Sequence, residues 1–233
     1  TFQCTECRRC SVFCPYGIDT AEITIIVREL LNLLGLNTDW IMGPVANCWR
    51  TGNHLGLEPH TIKSCVESML DDIETVKGIR IEPSFNRKGA EILLVAPSGD
   101  IFGVPGNYVA MGEIMLFHEL GLDYTWSTMA CEGGNFGSFT SNEMAKRLYH
   151  KIYAEAKRLK VKWILGGECG HQWRLFNQYL DTWWGPADFL EEPVSPITGT
   201  KFENAKSSKV VHIVEFTADL IKNGKLNLDP SRN

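Results

Sequence analysis

The 233-residue sequence lacks any run of about 20 apolar residues, the length that a helix needs to cross a bilayer. We therefore expect no membrane-spanning segment, and any link to a membrane has to come from a partner. The sequence also lacks a Lys/Arg block, and its formal net charge is -5, which disfavours nucleic-acid binding. No initiator Met or signal-like segment precedes the first cysteine, so we expect the natural protein to extend beyond both ends.

Cysteine is the residue that stands out, with eight copies in the chain. Half of them form one N-terminal run, Cys4, Cys7, Cys10 and Cys14. A disulfide framework is typical of small, secreted, loop-rich chains, whereas this sequence contains long periodic helical patterns. Metal binding in a reducing, cytoplasmic compartment is the better interpretation.

The N-terminal run has the spacing C-x2-C-x2-C-x3-C-P, which is the bacterial ferredoxin run and predicts a [4Fe–4S] cluster. In two-cluster proteins the fourth cysteine of such a run ligates the other cluster. Either Cys14 closes its own cluster, or it serves a cluster whose run lies upstream of this sequence, and we favour the second arrangement. A zinc knuckle is the alternative, although zinc sites usually combine two distant cysteine pairs.

The pattern of the remaining chain predicts an α/β fold. Apolar residues recur with helical spacing from Ile23 to Leu34, and a second helix is expected from Pro59 to about Val76. Residues 36–58 are rich in Gly, Asn and Pro and indicate an irregular linker. From about residue 79, four short apolar strands alternate with helices, which is typical of a parallel sheet.

We therefore predict a small helical ferredoxin-like [4Fe–4S] module over residues 1–35 and a helical linker over 36–78. A Rossmann-like parallel-sheet domain over 79–233 follows, incomplete at its C-terminus.

Two further cysteines, Cys131 and Cys169, each follow a predicted strand and open a glycine-containing loop before a helix. We expect them at the carboxyl ends of neighbouring strands, where parallel sheets bind ligands. They could bind metal, act as redox thiols, or be buried and inert. The loop Gly133-Gly-Asn-Phe-Gly137 could instead hold phosphate, but it matches no established phosphate motif.

Polar residues around these cysteines have both functional and structural interpretations. His171 could donate a proton to a leaving thiolate, and Arg174 could hold an anionic substrate terminus. Equally, His171 could be an ordinary residue of the helix N-terminus and Arg174 a surface arginine. Glu132 and Glu168 could tune the site or cap their helices. Cys48 and Cys65 we assign to structure.

Together, several segments resemble the heterodisulfide-reductase-like iron–sulfur subunits, which form the CCG-domain family. They are the cysteine run with Pro15-Tyr-Gly-Ile-Asp19, Thr51-Gly-Asn53, Cys131-Glu-Gly-Gly-Asn135 and Gly167-Glu-Cys169-Gly-His171. The resemblance covers nearly the whole chain and is strongest to the DsrK-like branch, from the DsrMKJOP membrane complexes of dissimilatory sulfur metabolism. Two departures stand out: Cys131 is followed by Glu132 rather than by a second cysteine, and these 233 residues carry no second CCG segment. We therefore expect the remaining ligands of the catalytic site to lie beyond the ends of this sequence, or the site to be altered.

By this resemblance, Cys131 and Cys169 would be one domain's share of a catalytic [4Fe–4S] cluster, supplied with electrons through cubane clusters. The donor would be a membrane cytochrome b subunit of the DsrM type. The substrate would be a disulfide or trisulfide on a small sulfur carrier of the DsrC type. The chain would be cytoplasmic and attached to the membrane through its partners. Two rival hypotheses remain: an electron-transferring subunit in which Cys131 and Cys169 are structural, and a zinc-stabilised interaction protein.

Overall fold

The computed structural model describes residues 3–131, 135–176, 187–229 and 231. Its N-terminal part is helical. The helices are α1 (Arg9–Phe13), α2 (Thr20–Leu33), α3 (Asp39–Thr51) and α4 (Pro59–Lys77).

Helix α2 has the predicted bounds but turns an unexpected face inward. The side chain of Asp19 caps it by accepting hydrogen bonds from the backbone N–H groups of Ala21 and Glu22. Its buried residues are Ala21, Ile25 and Arg28, whereas the apolar residues of the predicted stripe, Ile23, Ile26, Leu30 and Leu34, are largely exposed. A charged side chain therefore lies where apolar periodicity alone would place a hydrophobic one.

The prediction of an irregular linker over residues 36–58 was wrong for most of that segment, because α3 occupies it. Pro44 lies inside this helix, yet Ile41, Val45 and Cys48 recur with helical spacing and are buried. Burial of this apolar face outweighs the backbone hydrogen bond that proline cannot donate. Helix α3 ends at Gly52, whose φ of 80° is in the left-handed region.

A four-stranded parallel sheet forms the centre of the α/β part, as the alternation of strands and helices predicted. The strands are β1 (Ile92–Val95), β2 (Tyr124–Trp126), β3 (Trp163–Gly166) and β4 (Val210–His212), in the order β2-β1-β3-β4. The register places Leu94 of β1 opposite Trp126 of β2 and Leu165 of β3. This architecture is compatible with a Rossmann-like domain.

Helices cover both faces of this sheet. They are α5 (Ser98–Phe102), α6 (Gly106–Glu119), α7 (Asn142–Leu159), α8 (described over 170–176) and α9 (Ile213–Lys222). Apolar residues of α4, α6 and α9 pack with Leu94 and Leu165 on one face. Residues of α7 and α8 pack with Leu93 and Ile164 on the other. Alternate residues of each strand thus enter opposite core layers, as expected for a sheet that is buried on both faces.

The strand order corrects one expectation about the site. Cys131 follows β2 and Cys169 follows β3, but these strands are not neighbours, because β1 lies between them. Both loops nevertheless leave the same carboxyl-end edge of the sheet. The point at which the chain changes direction across the sheet lies at β1 and β3, which is where open α/β sheets bind ligands.

Candidate functional site

The cysteine run lies at the surface of the protein, in a loop that leads into the short helix α1, which carries Cys10. Cys4 and Cys14 are half-buried, and Cys7 and Cys10 are exposed. Between the first three cysteines, Glu6 and Arg8 have φ values of 55° and 58°. These left-handed residues turn the backbone sharply and let a short loop wrap around a small object.

Hydrogen-bond donors of the loop face its sulfur atoms. The backbone N–H of Glu6 donates to Sγ of Cys4 at 3.3 Å, and the Thr20 hydroxyl donates to Sγ of Cys10. The pKa of Cys7 lies below its ordinary value, first because of a hydrogen bond from the backbone N–H of Arg9 and then because of one from Thr5. The contacts of Cys7 favour its thiolate, which is the form that binds metal.

The chemistry of this loop fits an iron–sulfur cluster. Four thiols within one short segment are the donor set of a cubane cluster, and N–H groups directed at sulfur are the contacts that stabilise one. Over the described ranges, however, no three His, Cys, Asp or Glu side chains come close enough together to hold a metal ion. The assignment of Cys4, Cys7, Cys10 and Cys14 as ligands stays a prediction from their spacing.

Cys131 is buried at the edge of the sheet and is held by the segment that follows α3. Its backbone N–H donates to the carbonyl of Gly52 at 3.2 Å, and its Sγ donates to the Ser127 carbonyl at 3.8 Å. A Cβ at position 52 would overlap the carbonyl oxygen of Met129. Only glycine therefore allows the α3–α4 loop to approach the Cys131 loop so closely.

The Thr51-Gly-Asn53 segment has a role that the sequence alone did not reveal. Asn53 is fully buried, and its side chain both donates to the Leu57 carbonyl at 2.8 Å and accepts from the Leu57 N–H at 2.9 Å. Next to it, Nδ1 of His54 lies 2.8 Å from the hydroxyl of Ser98, which begins α5 after β1. Together with His54, the segment thus joins the loops that follow β1 and β2. In the sequence, the glycine followed by an asparagine was the signal that marked this position.

Cys169 is half-buried directly before α8, and the first turns of that helix contact the N-terminal cysteine loop. Nε2 of His171 lies 2.7 Å from the carbonyl oxygen of Thr5. Arg174 donates to the backbone carbonyl of Glu6 at 3.1 Å and also to its carboxylate. The structure therefore brings His171 and Arg174 to the residues between Cys4 and Cys7.

The carboxylate of Glu6 is shared between two arginines. Arg28, with 0% exposure, donates to Glu6 and to the carbonyl of Cys4, and its guanidinium lies over the ring of Phe139, 5.4 Å from the centroid. Glu6 itself is 3% exposed. A buried carboxylate between two guanidinium groups satisfies the requirement that buried charges be paired.

A cluster of three carboxyl groups lies at the same edge, between β1, β3 and α6. Asp100 and Glu113 are buried, and both carboxyl oxygens of Glu113 lack a hydrogen-bond partner within the described part of the chain. Burial, and then the neighbouring carboxyl groups of Asp100 and Glu168, raise the pKa of Glu113 to about 8. Burial and Glu168 likewise raise the pKa of Asp100 to about 7. Of its three members, only Glu168 was singled out from the sequence.

The residues of the predicted glycine loop lie partly outside the described ranges. Glu132, Gly133 and Gly134 lie outside the described residues. Gly137 is packed against the backbone of α7, where a Cβ would overlap Ala145, so packing accounts for that glycine.

The two remaining cysteines lie on helices. Cys48 is buried on α3, and Cys65 is half-buried on α4, where burial raises its pKa.

Within the described ranges, no helix combines the length and the apolar character that are needed to cross a bilayer.

Comparison with curated proteins identifies relatives over the whole chain. It is 44% identical over 249 aligned residues, covering 100% of this chain, to an "Hdr-like menaquinol oxidoreductase iron-sulfur subunit 2" of Archaeoglobus fulgidus. It is 43% identical over 248 residues to an "Hdr-like menaquinol oxidoreductase iron-sulfur subunit" of Archaeoglobus profundus. The chain spans only 45% and 44% of the lengths of these relatives.

No protein-family model and no solved structure matches the chain. The two relatives support the family that the cysteine run and the later segments together resemble, and the alignments cover both the helical and the α/β parts. Over its whole length the chain is thus similar to Hdr-like iron–sulfur subunits, of which it covers less than half.

Proposed function

We propose that this chain transfers electrons between an N-terminal [4Fe–4S] cluster and a thiol–disulfide site at the edge of its sheet. One observation carries the proposal: the loop of Cys4 and Cys7 is bonded directly to the helix that follows Cys169, through Thr5, Glu6 and their partners. The bound cluster would supply one-electron transfer, which no protein side chain here provides.

The residues of the chain would do the following. Cys4, Cys7 and Cys10 would hold a cubane cluster, with Cys14 serving that cluster or a second one. Cys131 and Cys169 would contribute thiolates to the catalytic site, at which a disulfide takes up two electrons and two protons to give two thiols. His171 stays a candidate proton donor, which requires its bond to Thr5 to open or its other ring nitrogen to act.

The partners follow from the two lines of resemblance. The names of the relatives indicate menaquinol as the source of electrons. Resemblance to DsrK-like subunits suggests a cytochrome b partner of the DsrM type and a disulfide or trisulfide on a DsrC-type sulfur carrier. In this proposal the subunit is peripheral, on the cytoplasmic side, and attached through these partners.

Anaerobically prepared full-length protein tests the proposal. We expect iron and labile sulfide, and a new paramagnetic species after an oxidised thiol substrate is added. Cys131→Ala and Cys169→Ala should abolish that species, whereas Cys65→Ala, a half-buried cysteine on α4, should retain it. Zinc without iron or sulfide would contradict both redox hypotheses.

A purely electron-transferring subunit is the second candidate, and the environment of Cys131 favours it. That thiol is buried and donates to a backbone carbonyl, as an inert structural cysteine does. In this case both alanine variants would keep full iron content and show the same spectra as the wild type after the oxidised thiol is added.

A further inference from the structure

We propose that Glu6 is a positioning residue that fixes the N-terminal cysteine loop on α8 and so sets the electron path between this loop and the Cys169 site. This inference rests on the proposed function, because it assumes that the loop carries a redox centre. It assigns a role to a residue that is not itself a ligand.

The position of Glu6 in the chain is the first argument. It lies between Cys4 and Cys7, so any shift of its backbone moves both predicted ligands. Its φ of 55° places it at the sharp turn of the loop, and its own N–H donates to Sγ of Cys4. The geometry of the loop therefore depends on how this one residue is held.

The contacts of Glu6 are the second argument. One carboxylate oxygen accepts from Arg28 of α2 and the other from Arg174 of α8. Each guanidinium group donates one N–H to the carboxylate and another to a backbone carbonyl of the loop, that of Cys4 for Arg28 and that of Glu6 for Arg174, so the carboxylate is restrained from two sides. Glu6 thus connects the helix that follows the cysteine run with the helix that follows Cys169.

A further pair of bonds, to the backbone of the loop, reinforces the same junction. The backbone carbonyls of Thr5 and Glu6 accept from His171 and Arg174, at 2.7 and 3.1 Å. Two successive peptide groups of the cysteine loop are therefore docked on the first two turns of α8. Electron transfer slows steeply as the distance between centres grows, so a junction that holds two cysteine-bearing loops together sets its rate.

The charge of Glu6 has an effect distinct from its packing. A negative charge between two ligand positions disfavours the reduced, more negative state of a bound cluster. Glu6→Gln keeps the size of the side chain, removes that charge and leaves two guanidinium groups, the buried one of Arg28 and the partly exposed one of Arg174, facing a neutral amide. The reduction potential should therefore become more positive, a change that loss of packing alone would not specify.

The experiment uses full-length protein with its clusters assembled and compares Glu6→Gln, Glu6→Asp and Arg174→Gln. Redox titration followed by electron paramagnetic resonance reports the potential of the N-terminal centre. Flash reduction reports the rate at which its electron passes on. Hydrogen–deuterium exchange of residues 3–8 in metal-free protein reports whether the loop stays docked.

Glu22→Gln is the matched control. Glu22 is also paired with an arginine in the same region, Arg8 at 3.4 Å, but its side chain is 40% exposed. Both substitutions remove one negative charge, so the position and the burial of that charge are what differ.

We expect Glu6→Gln to move the potential to a more positive value and to slow electron passage at least tenfold. Arg174→Gln should slow the passage and increase exchange at residues 3–8, while Arg28 still holds Glu6. Glu6→Asp should restore part of both properties, and Glu22→Gln should match the wild type.

The inference would be refuted if Glu6→Gln and Arg174→Gln, at full iron content, had the same reduction potential, electron-transfer rate and hydrogen exchange as the wild type. That result would leave the proposed function intact. If Glu6→Gln does not assemble a cluster, Arg174→Gln decides the question. Absence of iron from the wild-type protein would instead refute the proposed function.

Discussion

Arg174 binds Glu6 twice, through the carboxylate and through the backbone carbonyl, although the two residues are 168 positions apart. The second arginine on this carboxylate, Arg28, has no exposed surface at all. The triad of Glu6, Arg28 and Arg174 joins the first residues of the chain to the α/β part. Its contribution to the free energy of unfolding can be measured.

Replacing Arg28 by glutamine should destabilise the protein by about 3 kcal/mol, because it leaves a buried carboxylate with only one of its cations. Urea denaturation gives this difference as a change in midpoint at constant slope. Arg80→Gln is the control: Arg80 also pairs with a carboxylate, Glu82, but both side chains are mostly exposed, so we expect a change within about 0.5 kcal/mol. Equal losses in the two variants would show that burial of the triad adds nothing.

Gly52→Ala should destabilise the protein more than Gly78→Ala. Both glycines have positive φ values, 80° and 68°, which cost a non-glycine residue about 1 kcal/mol. Only at Gly52 would the added Cβ meet a neighbouring backbone, at Met129, whereas space is open around Gly78. Thermal unfolding of both variants measures the difference, and equal melting temperatures would contradict the close approach of the two loops.

Glu113→Gln should alter how stability depends on pH. The pKa of Glu113 is raised from 4.5 to about 8 in the folded protein, so the folded state binds more protons between these values. The corresponding stability is fully present below about pH 4.5 and is lost as pH rises toward and through about 8. The glutamine variant lacks this loss and should melt a few degrees, about 2–4 °C, above the wild type at pH 8.5.

The control for that comparison lies on the same helix. Glu119 is exposed on α6, so Glu119→Gln should follow the pH profile of the wild type. Parallel melting curves of Glu113→Gln and the wild type from pH 5 to 8.5 would show that Glu113 is not a buried proton-binding group.

Asp19→Ala should weaken α2 and the cysteine loop together. Asp19 caps α2 and also accepts hydrogen bonds from Arg8 and Ser11 within the loop, so its loss should cost about 1 kcal/mol or more. Thr38→Ala is the control, because Thr38 occupies the same capping position of α3 without a side-chain bond. Helicity by circular dichroism and denaturant midpoints should fall in the first variant and stay unchanged in the second.

Local sequence signals predicted the repeating elements of the fold, and non-local contacts decided the rest. Short apolar runs predicted the strands, and those of β1 and β3 end at Pro97 and Gly166, because a strand buried on both faces requires continuous apolar sequence. The order of the strands depends on packing between distant segments, so the position of β1 between β2 and β3 was not predicted. Helix α3 was missed because Gly43-Pro44 interrupts its pattern, although the spacing of Ile41, Val45 and Cys48 indicated a helix.

In the candidate site, too, local features could be predicted from the sequence and contacts between distant segments could not. The cysteine run is a local motif, and its spacing alone predicts its chemistry. The bonds of Glu6 with Arg28 and Arg174, and the carboxyl cluster around Glu113, connect segments far apart in the chain. The sequence around a single glutamate or arginine does not identify its partner, so these contacts could be found only in the folded structure.

The double attachment of Glu6 restricts how such a protein can be rearranged by evolution or design. A cysteine-run segment taken from another ferredoxin would bring the ligands, but without an acidic residue at position 6 it would remove the carboxylate that Arg28 and Arg174 share. The N-terminal cysteine-run segment and the α/β part therefore cannot be exchanged independently of each other. A working chimaera has to transfer the acidic residue and its two arginines as one set.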